Sequence, residues 1–187
     1  MPDGSRSETA ARRRPEAPSA HPADVPVDID LDLNGRQTRL TATTNELLID
    51  VIRDRLGLLG TKRSCELSVC GSCTVLLDGE PYSSCMTLAV EAEGRRLTTI
   101  EGAGKDGALS DVQRAFVEEG AIQCGFCTPG FVMACHALLD RDPDASDDNI
   151  AHALEGNICR CTGYVPILRA ARRVRDERRA AASPKGN

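Results

Sequence analysis

The sequence predicts an α+β protein in two parts, a strand-rich N-terminal half followed by a helical C-terminal half. Three observations carry that expectation. Apolar residues alternate with period two up to about residue 100 and recur at helical spacing after it. Gly102, Gly104 and Gly107 punctuate the change. Eight of the nine cysteines fall into two sets, one on each side of those glycines.

A chain of 187 residues makes one or two small domains. It is 41% hydrophobic but only 3% aromatic and has no Trp, so its core is aliphatic and helix-rich or clipped by metal. The net charge of −5 argues against a general nucleic-acid binder. No apolar run approaches the ~18–20 residues that span a bilayer. Arg12, Arg13 and Arg14 are followed by Pro15, Glu16 and further prolines rather than an apolar stretch, so they do not read as an export signal. Nine cysteines without a secretion signal favour metal ligation over disulfides and a cytoplasmic location.

Residues 1–24, rich in Pro, Ala, Ser and Arg, read as a disordered leader. Residues 25–101 form the first domain. Val27, Ile29, Leu31 and Leu33 alternate with Asp28, Asp30 and Asp32, which predicts a half-buried strand. Asn34-Gly35 turns it, and residues 36–43 return as its partner. Thr44 or Asn45 caps a helix with Leu47, Leu48, Val51, Ile52 and Leu56 at helical spacing, broken over residues 57–60. A cysteine loop follows, then a strand over 74–77, a turn at Asp78-Gly79 and a return over 80–84. A further strand pair is expected over 87–91 and 96–100, joined at Glu93-Gly94. Two strands, a helix, then more strands on a cysteine loop describe a β-grasp arrangement.

Residues 102–109 read as a linker and 110–179 as a helical domain, with 180–187 a frayed tail. Ser110 caps a helix reaching Glu119, with Val112, Ala115 and Phe116 inward. A second helix runs over 129–139, with Phe131, Val132, Cys135, Leu138 and Leu139 on its stripe. Ser146 caps a third over 147–154, and a fourth spans 166–179 through Ile167, Leu168, Ala171 and Val174. Short connections suggest a four-helix bundle.

Cys65, Cys70, Cys73 and Cys85 have the spacing Cys-x4-Cys-x2-Cys plus a distant fourth thiol, that of a plant-type ferredoxin [2Fe–2S] cluster. Gly71 and the small Ser64, Ser68 and Ser72 leave room for backbone amides to approach sulfur. The second set pairs Gln123-Cys-Gly-Phe-Cys-Thr-Pro-Gly130 with Cys159-Arg-Cys161. Thr128 reads as an N-cap with Pro129 after it, which puts Cys124 and Cys127 before a helix whose free N–H groups favour thiolate. Cys124, Cys127, Cys159 and Cys161 can thus close around one metal centre. By spacing alone that centre is a cluster or a structural zinc site, since four-cysteine zinc sites also use close pairs. Cys135, the ninth thiol, reads as a small apolar residue on a buried face. His21, His136 and His152 form no dyad with a nucleophile, and the run Arg169, Arg172, Arg173, Arg175, Arg178 and Arg179 reads as a solvated helix face.

With both sets in order, the chain resembles the iron–sulfur subunit of the xanthine oxidase family of molybdenum hydroxylases, which includes xanthine, aldehyde and carbon monoxide dehydrogenases. Gly60-Thr-Lys, Cys70-Gly-Ser-Cys-Thr-Val, the Gln123–Gly130 stretch and Gly156-Asn-Ile-Cys-Arg-Cys-Thr-Gly-Tyr164 carry the resemblance, which covers about residues 27–175. This loop has Ser64 and Ser68 where that family often has glycine. The resemblance implies two [2Fe–2S] clusters, one on each cysteine set, and no substrate chemistry in this chain. It implies a molybdopterin, with cytosine dinucleotide, on a large subunit beside the second set, and FAD on a medium subunit toward the first. Gln123 and Cys161 would then touch the pterin. The expected assembly is a heterotrimer or a dimer of heterotrimers that relays single electrons. The other reading is a free two-cluster ferredoxin-like carrier.

Overall fold

The computed structural model describes residues 24–182. The predicted leader lies outside them except for Asp24, as do residues 183–187 of the predicted tail.

Strands β1 (Pro26–Leu33) and β2 (Arg36–Thr43) pair antiparallel with Ile29 opposite Leu40. Their turn is the expected one, with Asn34 at φ 53° and Gly35 at φ 83°, the left-handed geometry of a two-residue hairpin. Ile29 and Leu31 are buried while Asp28 faces out and binds Arg39 at 2.8 Å. Strands β3 (Thr74–Leu77) and β4 (Glu80–Ser83) form a second hairpin about Asp78 and Gly79. Strand β5 (Arg96–Thr98) lies between the hairpins, parallel to β1 and antiparallel to β3. The sheet therefore has the order β2-β1-β5-β3-β4.

Three local expectations fail for physical reasons. The first helix, α1 (Leu48–Asp50), starts after Leu47 and continues as a π-helical turn over Val51–Arg55. Leu47 is instead drawn into a bridge with Leu88. The stretch expected as a strand over 87–91 winds into a 3-10 turn, Ala89–Ala92, which buries both alanines under the sheet. Residues 100–102 also coil rather than extend β5.

The helical half follows its periodicity closely. Helices α2 (Asp111–Glu118) and α4 (Asp147–Leu154) start at Ser110 and Ser146, whose hydroxyls accept from Gln113 N and Asn149 N, each at 3.1 Å. Helix α3 (Thr128–Arg141) is capped by Cys127, one residue earlier than expected, with no side-chain hydrogen bond at the cap. Helix α5 (Val165–Ala182) runs three residues into the predicted tail. Phe116, Phe131, Leu139, Ile150, Ile167 and Val174 fill the core between them.

The arginines of α5 are not merely solvated. Arg178 binds Asp111 at 2.7 Å and Asp140 at 2.8 Å, tying α5 to α2 and α3. Arg175 is buried and donates to Ala145 O and Asp147, and Arg173 pairs with Glu118 and Glu119.

The two halves share a packed face. Leu76 of β3 sits on Met133 and Ala137 of α3. The glycine segment is pinned as well, because a Cβ on Gly102 would lie 2.2 Å from Asn34 Oδ1. Most constrained is the contact beneath the first cysteine loop. Gly71 O accepts from Asn157 Nδ2 at 2.9 Å, Ile158 N donates to Cys70 O at 2.9 Å, and Gly130 lies flat against Gly71. A Cβ on Gly130 would approach Gly71 O to 2.1 Å.

Gly130→Ala should therefore destabilise the protein by about 1–3 kcal/mol, the usual cost of forcing volume into a packed contact. At an unconstrained helical site the same change stabilises by about 1 kcal/mol. Denaturant unfolding compares the two chains, and a higher midpoint for the variant would contradict the packing described.

Candidate metal centres

Residues 56–73 form no regular structure, and their path is set by left-handed backbone at Glu66 (φ 55°), Ser68 (φ 56°) and Gly71 (φ 66°). For residues with a Cβ that conformation costs about 1–2 kcal/mol each. Ser68 thus occupies a position where glycine is the easier residue. The turns bring the N–H groups of Leu67, Val69 and Cys70 onto Cys65 Sγ at 3.5, 3.4 and 3.4 Å. Such a nest of amides favours an anion. Those three donors hold the Cys65 thiol down at about 6.

Cys73 and Cys85 are placed by the β3–β4 hairpin. Thr74 and Ser83 face each other in the ladder, so the residues flanking its end come together. Ser84 strengthens the closure, its Oγ donating to Cys73 O at 2.7 Å. Both thiols are buried against Ile49. Burial pushes Cys73 up to about 11, with Cys85 beside it.

In the second set, Cys124 and Cys161 are exposed with their Sγ atoms 3.6 Å apart. Cys127 and Cys159 are buried beside each other. The helix start does not make Cys127 a thiolate, contrary to the expectation from its position. Burial dominates and pushes its thiol up to about 12. Cys159 behaves oppositely. Burial opposes its ionisation, yet donors from Thr162 lower it, the hydroxyl at 3.1 Å and the amide at 3.4 Å from Sγ.

Each set therefore presents two close thiol pairs, Cys65 with Cys70 and Cys73 with Cys85, then Cys124 with Cys161 and Cys127 with Cys159. Among the described residues no three His, Cys, Asp or Glu side chains converge where one metal ion would sit. A four-thiolate zinc site draws all its sulfurs to about 2.3 Å from one atom. A binuclear iron–sulfur cluster needs two protein thiolates at each iron, and two pairs of thiols with amide donors suit it. All nine cysteines are free thiols.

The other expected features lie beside these pairs or away from them. Gln123 is exposed next to Cys124. Cys135 is wholly buried in the helical core, where burial pushes its thiol up to about 12. His136 does have a partner, Ser110 Oγ at 3.0 Å, and burial lowers its pKa. Since Ser110 Oγ is also the cap acceptor of α2, that contact is a helix-start hydrogen bond. His152 is exposed with Glu155, and His21 lies outside the described residues. A cleft of about 1100 Å³ between the sheet and the helical half is lined by residues that include Lys105, Met133, His136 and Arg178 and by none of the cysteines. Asn157, Gly130 and Thr162 were not singled out as partners of the cysteine loops. All three lie inside the quoted motifs, but only the fold shows what they touch.

Comparison with known proteins gives the family. Residues 31–99 match the family described as a 2Fe-2S iron-sulfur cluster binding domain, and residues 99–172 match that of a [2Fe-2S] binding domain. The chain is 42% identical over 146 residues to the nicotinate dehydrogenase small FeS subunit of Eubacterium barkeri, covering 78% of this chain and 93% of the relative. It is 44% identical over 144 residues to the xanthine dehydrogenase iron-sulfur-binding subunit of Escherichia coli O157:H7, covering 76% and 90%. The chain belongs to the iron–sulfur small subunits of the xanthine oxidase family. Solved structures agree. A chain of quinoline 2-oxidoreductase from Pseudomonas putida 86 superposes with a TM-score of 0.78 at 39% identity, over 84% of this subunit and 99% of that chain. The aldehyde oxidoreductase of Desulfovibrio gigas superposes with a TM-score of 0.79 at 37% identity over 84% of this subunit, which corresponds to 18% of that longer chain.

The thiol environments of the small subunit make a direct prediction. A thiol depressed to about 6 is mostly thiolate at neutral pH, whereas one raised to about 12 is protonated. With iron removed, iodoacetamide at pH 7 should label Cys65 first and Cys135 last. Peptide mass mapping reads the order, and labelling of Cys135 before Cys65 would contradict it.

Proposed function

We propose that Cys65, Cys70, Cys73 and Cys85 hold one [2Fe–2S] cluster, and that Cys124, Cys127, Cys159 and Cys161 hold a second. The two-plus-two grouping of thiols in each set supports this most directly. In this reading residues 25–101 are a β-grasp domain of the plant-type ferredoxin kind and residues 110–179 a four-helix bundle, with 102–109 between them. The sheet order and the four helices α2 to α5 are consistent with that division.

Bound in these cradles, the clusters would supply one-electron carriage between a two-electron molybdenum centre and a two-electron flavin on partner subunits. The chain's own residues do the holding and tuning. Leu67, Val69 and Cys70 amides direct positive charge at Cys65. Ile49 and the β3–β4 hairpin keep water from Cys73 and Cys85. Asn157 and Gly130 fix the two loops against each other.

The partners we infer are a molybdopterin-binding large subunit, with the cytosine dinucleotide form of the cofactor, and an FAD-binding medium subunit. Together they make a heterotrimer or a dimer of heterotrimers in the cytoplasm. The exposed edge of the second set, with Gln123, Cys161, Phe126 and Ile158, is the surface assigned to the pterin side. The exposed Leu67, Val69 and Met86 around the first set are assigned to the flavin side. Nicotinate, nicotine, caffeine and xanthine stand in the names of relatives that are 42–45% identical to this chain. Small subunits so alike serving such different molecules support substrate selection by a partner. Relatives named as subunits also favour a fixed relay over a free carrier. No described helix is long and apolar enough to cross a membrane.

Purified from its host, the chain should carry four irons and four sulfides and give two distinct rhombic EPR signals on reduction, with molybdenum and flavin subunits attached. Cys135→Ser should keep both signals. Stoichiometric zinc in place of iron, or loss of a signal in Cys135→Ser, would overturn the ligand assignment.

A further inference from the structure

The second thiol set is asymmetric in a way that its spacing does not require. Of its four sulfurs, Cys159 Sγ has a hydroxyl donor, Thr162 Oγ1 at 3.1 Å. The hydroxyl is oriented for that task. Tyr164 N donates to Thr162 Oγ1 at 3.2 Å, which occupies an acceptor position of the oxygen and leaves its proton for the sulfur. Tyr164 in turn accepts from Cys159 N through its phenol oxygen at 3.1 Å, and its ring stands edge-on to Phe131 in the core. The Thr162 amide adds a second donor to the same sulfur at 3.4 Å. Residues 159 to 164 thus form a closed loop of hydrogen bonds with the sulfur as its terminal acceptor.

We propose that Thr162 is a positioning residue whose hydroxyl raises the reduction potential of the second cluster by donating to Cys159 Sγ. The proposal rests on the reading that Cys159 is a cluster ligand. An electron added at the site increases negative charge on the ligand sulfurs, and a fixed donor stabilises the charged form more than the less charged one. One electron arrives and one leaves at this site. No bond is made or broken and no proton is consumed. Burial of Cys159 strengthens the effect, because a hydrogen bond in a low-dielectric setting is worth more than one in water. The first set achieves its tuning differently, through the three backbone amides on Cys65, which side-chain substitution does not remove.

The test uses the assembled protein and EPR-monitored redox titration of both signals, the second cluster being the one that Cys124→Ser alters. Thr162→Val keeps the β-branch and loses the hydroxyl, so it should shift that cluster to lower potential and leave the other unchanged. Thr162→Ser should restore the parent value. A second readout needs no variant: in D2O, pulsed ENDOR of the parent should show a strongly coupled exchangeable deuteron on the second cluster. An unchanged midpoint in Thr162→Val with the cluster present would overturn the proposal. If Thr162→Val fails to hold the cluster, absence of that deuteron in the parent would overturn it instead. A Cys159→Ser protein with an unaltered second signal would refute the ligand reading itself, a separate result.

Discussion

The carbonyl of Gly71 is the point on which this small subunit turns. It accepts from Asn157 Nδ2 at 2.9 Å, from Thr74 Oγ1 at 2.7 Å and from Thr74 N at 3.2 Å. The two donor residues belong to different tasks. Thr74 opens β3 and fixes the exit of the first cysteine loop. Asn157 comes from the loop that leads into Cys159. Asn157 is itself buried, and a buried polar group left unpaired costs about 1–3 kcal/mol, so its amide depends on this acceptor. Because Gly130 lies against the same carbonyl, the start of α3, which Cys127 caps, is held there too. One backbone oxygen therefore sets the spatial relation between both thiol sets.

Around that junction the chain handles its sulfurs in two contrasting ways. Cys65 and Cys159 are surrounded by donors that favour the anion. Cys73 and Cys127 are buried with little hydrogen bonding, and their thiols are held high, near 11 and 12. Each set thus combines lowered with raised thiols, so on the proposed ligand reading assembly of the two centres should release protons. Rigidity comes from elsewhere. Arg173, Arg175 and Arg178 anchor α5 to α2, α3 and the start of α4, and the loop carrying Cys159 and Cys161 is held between α4 and α5.

Much of this was legible in the sequence because periodicity and caps are local. Asn34-Gly35 and Asp78-Gly79 carry their turns in two residues, and Ser110 and Ser146 announce helices that form where expected. The stretch 87–91 misled because its apolar residues serve a 3-10 turn under the sheet, and a short run does not separate the two. Charged residues misled differently. Six arginines on one helix look solvated until their partners, distant in sequence, are placed opposite them. The thiol sets were readable from spacing, but the cap at Cys127 and its raised thiol were not, because burial is a property of the fold. Asn157 and Gly130 stood in plain view within the motifs, though their contact with Gly71 joins residues up to 86 positions apart.

The most direct measurement is a crystal structure of the assembled protein with anomalous differences collected at the iron edge. Two two-iron sites should appear, one on each side of the Gly71–Asn157 contact. Cys124 and Cys161 should bind one iron of the second site, and Cys127 and Cys159 the other. A single metal atom drawing four sulfurs together, or cystines within either set, would contradict the proposed relay.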